Sequence, residues 1–328
     1  MVRWAVVAVA LGASGRISFD APASLGGGGP DGNAGARCAS VAPTCGPQHD
    51  QSCCASAAVP GGSFFRSYDI GSDNAFSDMS WPATVSGFTL DTYEVTVARF
   101  RAFVDSGAGT QQQPPAVGAG AGYAAGTGWR ADLDAGLPAN TAALRAQIDC
   151  PNGMWEPTPG AFDVRPMDCV TWPVAFAFCI WDGGRLPTEA EWNYAAVGGD
   201  EQRKWPWSTS PNVQITPTDA SYVVNGDCTG DGLPGCSDED FAIPGSFPDG
   251  NGRWGHADMV GNVWEWVYDR FDPYDVPCDD CAPVGTLSDF REFHGGGAGN
   301  TEDIERAAYR NQSPTDYVFY DIGLRCAR

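Results

Sequence analysis

Residues 257–266, ADMVGNVWEW, change character halfway. From Asp258 to Asn262 they read as a turn, with Gly261 and Asn262 free to take positive φ. From Val263 to Tyr268 they alternate. Trp264, Trp266 and Tyr268 fall on one side of a strand, and Val263, Glu265 and Val267 on the other. An aromatic face of this size is buried, so the chain has to be built around this strand. Glu265 then lies between two tryptophans, away from water, and a buried carboxylate needs a cation or several donors. Asp258 stands at the far end of the turn. Two hard oxygen donors flanking a glycine turn, with the carbonyls of Gly261 and Val263 able to bend inward, suit Ca²⁺. Hydrogen bonds from neighbouring amides account for the same two acids equally well.

The rest of the chain can cover such a strand. Its 328 residues allow one large domain or two ordinary ones, 43% of them are hydrophobic, and 12 are tryptophan. The 42 glycines and 25 prolines predict many turns and little regular structure. A net charge of -22 repels a nucleic-acid backbone and favours calcium and an extracytoplasmic setting. Twelve cysteines, an even number, point to an oxidising compartment. The N-terminus agrees: Arg3, a short apolar run over 4–11 and small residues after it read as a secretory signal over 1–23. An ordinary N-terminus is the alternative. The run is too short to span a bilayer, so no transmembrane segment is expected.

Residues 24–36 are glycine-rich and read as a flexible linker. Residues 37–58 carry Cys38, Cys45, Cys53 and Cys54 with almost no large apolar side chain. Two disulfides must staple such a segment, and their pairing is not legible. Zinc fits less well, with His49 the one nearby histidine and no paired Cys-x-x-Cys hooks.

The globular domain is expected over 60–328. Strands are read at 61–65 and 88–95, and helices at 97–105, 137–148, 172–181 and 188–197. Thr96, Thr171 and Thr188 are capping residues, and glycines follow three of the four helices. Thr188 and Glu191 have the spacing of a capping box. Cys150 and Cys169 bracket a proline- and glycine-rich excursion that a disulfide would close. The acidic loop 225–240 approximates a calcium loop, with Asp227, Asp231 and Asp238 at suggestive spacing. Cys228 and Cys236 inside it are expected to pair and bend it differently. Asp238, Glu239 and Asp240 are candidate ligands of a second calcium, against a reading as a solvated loop. Cys278 and Cys281 sit among Asp275, Asp279 and Asp280, which oppose a reactive thiolate, so a small disulfide loop is expected. A closing strand is read at 322–326, with Cys326 pinned to the core by a disulfide.

Three motifs now stand in one order: GRLPTEAEW at 184–192, VGNVWEW at 260–266 and GLRCA at 323–327. Together they resemble the signatures of the formylglycine-generating enzyme (sulfatase-modifying factor) family. YEVTVARFRAF at 93–103 is similar to its first helix. The resemblance spans roughly 60–328. It implies a loop-rich α+β fold related to C-type lectin domains. It also implies a Ca²⁺ held by the side chains of Asp258 and Glu265 and the carbonyls of Gly261 and Val263. A second calcium would fall near 238–241, where Asp238 and Asp240 are the candidates, and Cys179 would pair with Cys326.

The family's activity is not implied. Its active members oxidise a protein cysteine to formylglycine with O₂, through copper on two thiolates. The matching stretch, 295–310, holds no cysteine. Gly299, Asn300, Thr301 and Glu302 stand where thiols are needed, and none suits Cu(I), so copper is not expected. His49, His256 and His294 are the only histidines, and no other catalytic set is evident. The expectation is a secreted, periplasmic or cell-surface, calcium-stabilised, non-catalytic module that binds a protein, peptide or glycan. Its recognition surface would be the former cleft, with His294, Asn300, Arg306, Tyr309 and Arg310 as candidates. Salt bridges to this acidic chain are the competing role for the two arginines. The alternatives are an enzyme that uses the same cleft, including a formylglycine-forming one, and a cell-surface scaffold attached through the cysteine-rich segment.

Overall fold

The computed structural model of the protein describes Cys38 and residues 41–328. The expected signal (1–23) and linker (24–36) lie outside the described residues. Four short strands come first: β1 (Ser56–Val59), β2 (Gly62–Phe65), β3 (Pro82–Val85) and β4 (Phe88–Asp91). Four helices follow: α1 (Val97–Ser106), α2 (Thr141–Ile148), α3 (Trp172–Trp181) and α4 (Glu189–Ala196). The second half is strand and loop: β5 (Val223–Val224), β6 (Asp227–Cys228), β7 (Trp264–Arg270), β8 (Cys278–Asp279), β9 (Phe290–His294), β10 (Arg310–Pro314) and β11 (Ile322–Gly323).

The stretch at 257–266 does organise the molecule. β7 is an inner strand of a four-stranded sheet ordered β10-β9-β7-β11, antiparallel except for the parallel β7–β11 pair. The pairing aligns Gly323, Glu265, His294 and Arg310 in one row across the sheet. On one side Trp264, Trp266 and Tyr268 enter the main core with α1, α3 and Phe293. On the other, Val267 joins a second core with Trp192 and Ala195 of α4. Regular strand begins at Trp264, so Val263 escapes the alternation and packs into the main core.

The capping signals fold as read. Thr96 accepts the Arg99 N–H, and Gly107 takes φ 78° to end α1. Thr188 and Glu191 form a complete capping box on α4. Thr171 precedes α3 without a side-chain cap bond, and Pro173 occupies the first turn. Apolar around its circumference, α3 is buried for most of its length. α2 starts later than expected, at Thr141, because Asn140 supplies the cap by accepting the Ala143 N–H. The strand expected over 88–95 stops at Asp91, after which the backbone bonds elsewhere, Val95 N–H to the Leu324 carbonyl.

All twelve cysteines are paired. Cys38–Cys54 and Cys45–Cys53 settle the open pairing, and Cys150–Cys169, Cys179–Cys326, Cys228–Cys236 and Cys278–Cys281 form as expected. The cysteine-rich segment is not separate from the domain. Cys45 and Cys53 pack against Tyr93 and Ala257, and the Gly46 N–H bonds the Pro244 carbonyl. β1 pairs along its whole length with β4, four residues ahead of the expected Pro60. Among the described residues no helix is long and apolar enough to cross a membrane.

Candidate functional site

The turn before β7 is a buried charge cluster. Glu265 is 1% exposed. Arg325 grips it: Nε lies 2.8 and 2.7 Å from its two oxygens, and Nη2 lies 2.6 Å from Oε1. The Trp192 indole N–H donates to Oε2 at 2.7 Å. Arg325 also donates to the carbonyls of Asp91, Thr92, Ala257 and Asp258, so one guanidinium ties β7 to the turn and to the end of β4. The carboxylate of Asp258 accepts the Gly245 N–H at 2.6 Å. Gly261 and Asn262 take φ 80° and 63°, the left-handed turn the sequence predicts, and Asp258 joins them at 52°.

Glu94 is the member that sequence reading missed. Fully buried, it accepts from Asn262 Nδ2 at 2.5 Å and from the Val263 N–H at 3.3 Å. Arg325 was likewise read only as part of a closing strand. Three buried acids thus surround one guanidinium. Burial pushes the Asp258 carboxyl up to about 6, against the Gly245 N–H and Arg325, which lower it. Burial and then the charges of Asp258 and Glu265 push Glu94 well above the carboxylate range. Asn262 Oδ1 is a buried oxygen with no partner. Hard oxygens with uncompensated negative charge fit a divalent cation such as Ca²⁺. The Glu265 carboxylate itself, however, is engaged by arginine and tryptophan.

The acidic loop closes largely on its own amides. Asp240 accepts the N–H groups of Ser237 and Asp231, and Asp227 that of Gly235. Glu239 pairs with Arg165. Asp238 is exposed and, with Asp240, Phe241, Gly299 and Tyr320, lines a surface cavity of about 280 Å³.

The cleft residues expected over 294–310 do not share one surface, which corrects the single-cleft expectation. His294 is fully buried and stacks on Trp192 at 4.8 Å. Tyr309 packs into the main core near Trp264. Arg310 is half-buried, lies over the Tyr274 ring at 3.8 Å and is 3.4 Å from Glu292. His294 and Arg310 pair directly across β9 and β10 and share one face of the sheet, while Tyr309, just before β10, packs on the main core. Arg306 is bidentate to Asp69, with Nη2 2.6 Å from Oδ1 and Nε 3.0 Å from Oδ2, and reaches Asp73 at 2.7 Å. It is therefore a salt-bridge residue, and it lines a polar cavity of about 240 Å³ with Lys204 and Glu302. Asn300 follows Gly299 at the rim of the 280 Å³ cavity, and its carbonyl accepts the Val223 N–H. Glu305, unremarked in the sequence, is fully buried beneath this stretch. Its Oε1 accepts the Gly297 N–H at 3.2 Å, its Oε2 has no partner, and burial raises its carboxyl well above the usual range. No cysteine lies between Gly295 and Arg310, and no cysteine in the chain is free.

With this geometry in place, comparison decides the family. The Sulfatase-modifying factor enzyme 1-like domain matches residues 41–328. The chain belongs to this family. It is 28% identical over 290 residues to the inactive C-alpha-formylglycine-generating enzyme 2 of Mus musculus, covering 82% of this chain and 84% of that one. It is 30% identical over 264 residues to the Mus musculus formylglycine-generating enzyme, covering 74% of this chain and 66% of that one. Hercynine oxygenase of Mycolicibacterium smegmatis is 29% identical over 279 residues, and the chain spans 56% of its length. In fold, the sulfatase-modifying-factor-like chain is similar to PvdO from Pseudomonas aeruginosa, with a TM-score of 0.57 at 21% identity over 83% of this chain and 93% of that one. The fold is thus the family's α+β, C-type-lectin-like one, with modest regular secondary structure.

Proposed function

We propose that this chain is a non-catalytic member of the formylglycine-generating enzyme family, a calcium-stabilised binding or structural module working outside the cytoplasm. One observation carries the reading: all twelve cysteines are in disulfides and none falls in 295–310. Copper chemistry on two thiolates has no ligands here. Similarity to a relative named as inactive supports the same view, although catalytic relatives match equally well. Six disulfides support an oxidising compartment, secreted, periplasmic or at a cell surface. The ligand is a protein, peptide or glycan rather than nucleic acid, given the net charge of -22. The cavity at Asp238, Gly299 and Tyr320 is the surface we assign to it.

Calcium is assigned to the Asp258 turn, with Asp258 and the carbonyls of Gly261 and Val263 as ligands and Glu94 and Asn262 added to the set. Glu265 supports this site through Arg325. A second calcium at Asp238 would not draw on the Asp240 carboxylate, which amides occupy.

The test is a Cu(I) titration against a competing chelator, with a thiol count on the denatured, unreduced protein. No thiols and no Cu(I) withdrawn from the chelator are expected. Tight Cu(I) binding would overturn the reading. A second reading, an enzyme using other residues of the 294–310 stretch, is favoured by Glu305, whose buried, unpartnered Oε2 resembles a general acid. Full ligand binding and no turnover in a Glu305→Gln variant and in the wild type alike would remove it.

A further inference from the structure

Beneath the sheet, three side chains of metal-binding type converge, His294 among them. Glu292 and His294 are two residues apart on β9 and so share a face, and Glu189 opens α4. One ligand atom from each lies within 4.8 Å of the other two, and all three residues are buried. Among the described residues this is the one group of three or more such side chains. One edge is already short, with His294 Nε2 3.2 Å from Glu292 Oε1. Donors around a single zinc ion at about 2.0–2.2 Å would draw the other two edges in from at most 4.8 Å.

The bland alternative is a buried ion-pair network with Arg66 and Arg310. Their distances argue against it. Arg66 Nη1 stands 3.8 Å from Glu189, and Arg310 Nη1 3.4 Å from Glu292. Where arginine does satisfy a buried carboxylate in this protein the contact is close: Arg185 meets both oxygens of Glu191 at 2.6 Å. Here Arg66 donates to the Asp275 carbonyl, and Arg310 Nη1 is shared between the Asp272 carbonyl at 3.1 Å and longer contacts of 3.4 Å to both Glu292 oxygens. Glu189 Oε2 and His294 Nδ1 are left buried without hydrogen-bond partners. Unpaired polar atoms in such a place need a reason.

The surroundings suit an ion. Tyr274 donates to Glu189 Oε1 at 2.9 Å, and Asp269 accepts the Glu189 N–H at 2.7 Å, as residues that orient metal ligands do. Glu189, Glu292 and Tyr274, with Arg66 and Arg310, line a cavity of about 10 Å³, room for roughly one water, and His294 closes on Glu292 from outside its lining. Its wall reaches the half-buried Arg270 and Asp272, which gives a way in from the surface.

We propose that Glu189, Glu292 and His294 hold one divalent transition-metal ion of the zinc type, completed by a water in this cavity. The ion is structural, since the space admits no substrate. It ties α4 to β9 behind the sheet and needs no thiolate ligand.

The test uses the full chain, stripped with a chelator and returned to excess Ca²⁺, then titrated with Co²⁺ and Zn²⁺. One equivalent of Co²⁺ with visible d–d absorption, displaced by Zn²⁺, is expected. In His294→Ala and Glu292→Gln, checked for folding by near-UV circular dichroism, affinity should fall by about 100-fold or more. Tyr274→Phe keeps all three ligands and should lose about 10-fold. The proposal is overturned if the wild type binds no stoichiometric Co²⁺, or if folded His294→Ala and Glu292→Gln bind it unchanged. Should neither ligand variant fold, unchanged binding by Tyr274→Phe overturns it.

Discussion

At the scale of single residues, the chain depends on buried charges that satisfy one another. Arg325 and Glu265 are the clearest pair, 0% and 1% exposed at the side chain. Removing one partner of such a pair leaves the other charged in the interior, which costs about 3–5 kcal/mol. Arg325→Met should therefore lower unfolding free energy by that amount in urea titrations. A loss below about 1 kcal/mol would show that the pair is not what holds β7 to the turn. Asp321 supplies a pH signal. Burial pushes its carboxyl well above the ordinary carboxylate range, up to about 7. The native state then holds a proton that the unfolded chain has already released, so this group's contribution is full below about pH 4 and is lost as pH rises through 7. Asp321→Asn should gain stability relative to wild type across that window, and a gap that does not vary with pH between 4 and 7 would contradict it. Little of this was legible beforehand. The burial of Glu265 followed from its two tryptophans, but its partner is 60 residues away in sequence. Glu94 lies further still, 169 residues from Val263. Nothing local marks either one.

Elements were more legible, because helix ends are written locally. Thr96, Thr188 with Glu191, and Gly107 do in the structure what their spacing implies. Thr188→Ala should cost about 1 kcal/mol, within roughly 0.5–2, measured by thermal or chemical unfolding. Glu191→Ala should cost more, since it also strands Arg185. Equal effects would mean that the Arg185 contact contributes nothing. Strands were less legible. β1 in the cysteine-rich segment was missed because four residues of SAAV carry no alternation worth reading. The row that joins Gly323, Glu265, His294 and Arg310 is set by long-range pairing. That is why five residues, expected to share one cleft, were divided between the sheet interior and the surface.

Over the whole molecule, six disulfides and a turn of buried acids stabilise a chain with little regular structure. Cys179–Cys326 spans 147 residues and joins α3 to the C-terminus. In the chain-entropy model, closing so long a loop is worth about 4–5 kcal/mol. Replacing both cysteines with alanine should lower stability by about that much, and a negligible change would assign the constraint to other contacts. Calcium at a hundred-fold excess over its Kd should add about 2.7 kcal/mol, seen as a rise in Tm that a chelator reverses. An Asp258→Asn, Glu94→Gln double variant should lose that response. The family was legible from three ordered motifs, while the placement of the cysteine-rich segment on the domain was not, since it rests on contacts with Tyr93, Pro244 and Ala257.

The central claim is that this family member has lost thiol-based oxidation while keeping the fold. It is tested most directly by incubating the folded protein with a cysteine-bearing sulfatase-type peptide, Cu(I), O₂, reductant and Ca²⁺, and reading the peptide by mass spectrometry. The cysteine is expected to remain intact. Conversion of that cysteine to an aldehyde, at a rate above the protein-free control, would contradict it.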